Sequence, residues 1–72
     1  SMTAEQSHRF ALTGQDPKGR NRTIILWQEA DLVDGHVVRR VVVTLDATMN
    51  TATVLTCEQA TEVAQAMLAA AQ

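Results

Sequence analysis

An α+β fold is predicted: a four-stranded antiparallel β-meander with one C-terminal amphipathic helix packed on one sheet face. Three observations predict it. Two alternating runs, residues 22 to 33 and 36 to 46, flank Asp34-Gly35, a dipeptide suited to a two-residue type I′ hairpin. Residues 57 to 71 repeat apolar side chains at helical spacing. The 72-residue length fits one domain, assigned to residues 8–72, with residues 1–7 as a flexible arm. Ser1 before Met2 reads as a cloning scar and is set aside.

His8 to Thr13 alternates, with Phe10 and Leu12 on one side, and reads as a first strand. Gly14 to Asn21 contains two glycines and Asp16-Pro17, so it is expected to be a mobile hairpin loop. Arg22 to Val33 and His36 to Asp46 are the second and third strands. The short turn sets their register, with Glu29 opposite Arg40 as an attractive pair and Trp27 opposite Val42. Such pairs contribute roughly 0.2–1 kcal/mol each. One face then carries Ile24, Leu26, Leu32, Val37, Val41, Val43 and Leu45. The other carries Thr23, Ile25, Trp27, Glu29 and Asp31 with Val38, Arg40, Val42, Thr44 and Asp46. Ala47 to Asn50 is a turn, and Thr51 to Leu55 a fourth strand. Continued alternation places Ala52 and Val54 beside Val43 and Leu45.

Thr56 is a good N-cap, and Gln59 completes a T-x-x-Q capping box. Glu58 and Glu62 suit the positive end of the helix dipole. Ala60, Val63, Ala64, Met67, Leu68 and Ala71 form an apolar stripe. It is expected to lie over the Leu26/Val43 face.

The stretch Leu55-Thr56-Cys57-Glu58-Gln59-Ala60, followed by Ala64, Met67, Leu68 and Ala69 to Ala71, resembles the C-terminal helices of short actinobacterial and actinophage proteins of unassigned function. Those run as a leucine, a Ser/Thr cap, an acidic-Gln-Ala turn and an Ala/Leu-rich stripe, often after a few strands. The resemblance covers about a quarter of the chain. It implies the meander-plus-helix layout and brings no activity with it. Cys57 departs from it, since proline or another good first-turn residue is common there.

Composition narrows function. A net charge of −2 gives no global attraction to nucleic acid or anionic membrane. No apolar run approaches the ~20 residues of a membrane span. A lone cysteine and a polar start suggest a cytoplasmic protein without an export signal. His8, His36 and Cys57 lack metal-ligand spacing. A thiolate role for Cys57 at the helix N-terminus is the minor alternative to a small first-turn residue. Asp16, Asp31, Asp34 and Asp46 form no evident dyad. No catalytic residue, metal or cofactor is therefore expected.

Small chains without disulfides often gain stability by oligomerising. With the helix on one face, Ile25, Trp27, Val38, Arg40 and Val42 remain as the expected interaction face, for a homodimer and an unidentified protein partner. The alternative covering for that patch is the N-terminal arm or first strand. A second surface is the small-residue flank Val63, Ala66 and Ala70. Lys18, Arg20 and Arg22, with Arg40 and Arg9, offer possible phosphate contacts, and Trp27 could stack a base. Nucleic-acid binding is thus the alternative function, weighed against a plain solvated loop.

Overall fold

The structure is a computed structural model and describes residues 7–72. All of the expected arm except Ser7 lies outside these residues. Four strands, β1 (Phe10–Gln15), β2 (Asn21–Val33), β3 (His36–Leu45) and β4 (Thr53–Thr56), form one antiparallel sheet in the order β1-β2-β3-β4. A 3-10 turn, Met49–Thr51, precedes β4, and the helix α1 (Cys57–Ala70) follows it directly. The layout is α+β, as the alternation and helical periodicity predict.

The β2–β3 hairpin has the expected register: Val33 faces His36, Glu29 faces Arg40 and Trp27 faces Val42. Asp34 and Gly35 have φ of 50° and 79°, the paired positive values of a type I′ turn. That turn matches the right-handed strand twist, so ten residue pairs follow from two turn residues.

The segment expected to be a mobile loop is instead a tight, organised turn. Strands continue to Gln15 and resume at Asn21. Pro17 presets the first corner, and Gly19, at φ 81°, donates its N–H to the Asp16 carbonyl at 2.9 Å. The Asp16 carboxylate accepts the N–H groups of Lys18 and Arg20, both at 2.9 Å. An aspartate that satisfies two loop amides supplies the order that composition alone hides.

The second connection shifts strand parity. Asp46 and Ala47 both have positive φ, and Thr51 Oγ1 binds the Leu45 backbone on both its N–H and its carbonyl, at 3.0 and 2.8 Å. β4 therefore pairs Val42 with Val54 and Val41 with Leu55. Val54 lies on the Trp27 face, and Leu55 lies with Val41, Leu26 and Phe10. This corrects the expected grouping of Ala52 and Val54 with Val43 and Leu45. Alternation does not carry across a turn whose bulge is not visible in the sequence.

The helix forms where expected, but its docking differs. Thr56 Oγ1 accepts the Gln59 N–H at 3.0 Å, and Gln59 Oε1 accepts the Thr56 N–H at 3.0 Å. This is the full capping box. Yet Met67 and Leu68 remain 65% and 67% exposed, and Ala60 alone among helix residues is half-buried. The stripe does not cover the Leu26/Val43 face. Its neighbours in the sheet are β4 and β3. The physical reason is the junction: Thr56 ends β4 and caps α1. Helix–sheet connections usually use about 2–6 loop residues, and none separates these elements.

Gly35→Ala should lower the unfolding free energy by about 1–2 kcal/mol, because an L-residue strains the left-handed conformation. Urea denaturation of the two proteins measures it. An unchanged midpoint would show that this turn does not govern the hairpin.

Candidate interaction surface

Register divides the sheet into two unlike faces. On the first, Trp27 (8% exposed), Val42 (2%) and Thr44 (1%) are the buried side chains. The Arg9 guanidinium lies over the Trp27 ring at 3.9 Å, a cation–π contact. Trp27 Nε1 donates to Glu29 Oε1 at 3.1 Å. Thr44 Oγ1 donates to the Ile25 carbonyl at 3.1 Å, so the buried hydroxyl has a partner. Ile25, Val38 and Arg40 are half-buried on this face.

The expected open patch of Ile25, Trp27, Val38, Arg40 and Val42 is thus largely closed. Its two centres, Trp27 and Val42, are the buried apolar side chains among the described residues. Glu29 and Arg40 face each other in register, but no ion pair joins them. The Glu29 carboxylate is turned to the indole N–H two residues away on its own strand. A short-range polar partner already aligned on the same face outcompetes the cross-strand one.

The opposite face is open. β1 places Phe10 beside Leu26 and Leu12 beside Ile24. β3 adds Val41, Val43 and Leu45, and β4 adds Leu55. Phe10, Leu12 and Leu45 are exposed, and Ile24, Leu26, Val41, Val43 and Leu55 are half-buried. Their apolar atoms meet solvent across a continuous surface. β1 stops at Leu26 and β4 at Arg40, so Ala30–Val33 and His36–Arg39 project as a two-stranded ribbon. Leu32, Val33 and Val37 are exposed there. An isolated ribbon of that kind is marginal in water.

Helical periodicity assigns this face to α1, so it is not among the contact surfaces expected from the sequence. The overlooked signal was the absence of loop residues between Leu55 and the T-x-x-Q box. The small-residue flank of the helix, Val63, Ala66 and Ala70, is exposed as well.

The basic loop residues are engaged by carboxylates. Arg20 Nε lies 2.8 Å from Asp16 Oδ2, and Arg22 Nε lies 3.6 Å from the same oxygen. Arg22 Nη1 also pairs with Asp46 Oδ2, while Asp46 Oδ1 accepts the Thr23 N–H at 3.2 Å. These contacts clasp the β1–β2 turn to the end of β3. They leave less positive charge for a phosphate at Arg20 and Arg22. Lys18 is exposed, and its side chain has no carboxylate partner among the described residues.

A concavity is lined by Cys57, Glu58, Thr61 and Glu62 on the outer helix surface. Cys57 Sγ donates weakly to the Arg39 carbonyl at 3.7 Å. His8 packs edge-on against Phe10 with centroids 4.6 Å apart. Among the described residues no group of three His, Cys, Asp or Glu side chains could hold a metal ion. Nor is any described helix long and apolar enough to cross a membrane.

The clasp makes a pH prediction. The Arg20 N–H is the main cause holding the Asp16 carboxyl below its ordinary 3.8; burial opposes it, and the Arg20 side chain adds to the lowering. The Arg22 side chain is the main cause for Asp46, also below 3.8. A depressed folded value means stability that is present above 3.8 and lost as pH falls through the folded value. The urea midpoint should therefore be level from neutral pH down to about pH 5 and fall below about pH 4. Asp46→Asn should lower the neutral midpoint and flatten part of the acid loss. An equal acid loss in both proteins would assign it to other carboxylates.

No family model, no curated protein and no solved structure matches this chain.

Proposed function

We propose that the protein is a non-enzymatic interaction module whose working unit is a homodimer, formed through the open face around Phe10, Leu12, Leu26 and Val43. The supporting observation is the size of the core. Among the described residues, Trp27 and Val42 are the buried apolar side chains. A core of two buried apolar side chains is small even for a short chain, and covering the open apolar face would enlarge it.

Area gives the same answer. The chain exposes 5896 Å², whereas a compact monomer of its 7.8 kDa mass exposes about 4,400 Å². The chain is thus more open than a compact monomer of its mass, which leaves surface for a partner. The radius of gyration, 14.1 Å, likewise exceeds the roughly 11 Å of a compact chain of this length.

Light scattering should give twice the 7.8 kDa chain mass at micromolar concentration. The melting temperature should rise with protein concentration, because association stabilises by mass action. Leu12→Asp should shift the population toward a less stable monomer. A monomer with concentration-independent melting would refute the proposal.

A further inference from the structure

We infer that the open sheet face is covered by helix α1 of a second copy, and reciprocally, so that the dimer is built by helix exchange. This rests on the dimer reading above and names the occupant of its surface.

The junction at Thr56 supplies the first argument. β4 runs into α1 without a loop residue, and the reciprocal hydrogen bonds of Thr56 and Gln59 hold the first turn. The Cys57 thiol adds a contact to the Arg39 carbonyl. A helix so tied leaves the sheet along a set direction and cannot turn back over its own strands. Short hinges of this kind favour exchange of the element between copies, because the same contacts form intermolecularly without bending the hinge.

Dimensions supply the second. The 14 residues of α1 span about 21 Å at 1.5 Å per residue. The six-residue block where β1 joins the sheet spans about 20 Å at 3.4 Å per residue. The helix therefore matches in length the β1–β2 part of the open face. Each chain presents both halves of the contact: Val63, Met67 and Leu68 on the helix and Leu12 on the sheet are exposed, and Leu26 and Val43 beside Leu12 are half-buried. A two-fold arrangement satisfies both halves twice and closes the assembly.

Isotope-filtered NMR on the full chain tests the inference. Equal parts of carbon-13-labelled and unlabelled protein are unfolded, mixed and refolded. Cross-peaks are expected between Met67 or Leu68 methyls of one copy and Leu26 or Val43 methyls of the other. A dimer whose intermolecular cross-peaks join only sheet to sheet, or helix to helix, overturns helix exchange and leaves the dimer reading standing. A monomer overturns both. Inserting about five Gly/Ser residues between Leu55 and Thr56, a usual loop length, keeps the capping box and frees the helix to return. Light scattering should then show a monomer with unchanged helical circular dichroism, and an undiminished dimer counts against the inference.

Discussion

Thr56 serves two elements, as the last residue of β4 and the N-cap of α1. Its extended backbone, φ −66° and ψ 162°, suits both roles, so no residue remains to reverse the chain direction. The helix stripe and the Leu26/Val43 face consequently stay apart, although both are apolar. A capping interaction worth about 1 kcal/mol thereby decides the fate of a much larger hydrophobic term. The two surfaces that a longer loop would have joined within one chain are instead presented outward.

The sheet itself is held differently at its two ends. At the ribbon end, Asp34-Gly35 sets the register of β2 and β3 and little else supports the strands. At the other end, Asp16, Arg22 and Asp46 link the β1–β2 turn to the close of β3. Thr51 binds the Leu45 backbone there as well. Polar contacts thus organise one end, while the buried Trp27, Val42 and Thr44 organise one face. The Arg9 guanidinium and Glu29 carboxylate complete that face by engaging the indole ring and its N–H respectively. The face opposite Trp27 is apolar, and its natural complement is another apolar surface.

Much of the candidate site was legible in the residues, but its assignment was not. The alternation of Ile24, Leu26, Val41 and Val43 identified a coherent apolar face, and the pairing of Trp27 with Val42 was read correctly. Which face was open depended on the helix, and the stripe of Val63, Met67 and Leu68 states only that the helix needs a partner. It does not say whether that partner lies in the same chain. The clasp was hidden for another reason. Asp16 and Asp46 are thirty positions apart in the sequence, and only the folding of two turns to the same end of the sheet brings them to Arg22.

The sequence by itself determined the elements whose causes are local: the Asp34-Gly35 turn through its backbone conformation, the β2–β3 register through that turn, and the start of α1 through Thr56 and Gln59. Tertiary structure alone decided the parity of β4, because the Asp46-Ala47 bend and the Thr51 hydroxyl reset the alternation. It also decided which apolar face is buried. That choice depends on the direction in which α1 leaves the sheet, a property of the junction geometry rather than of any residue's hydrophobicity.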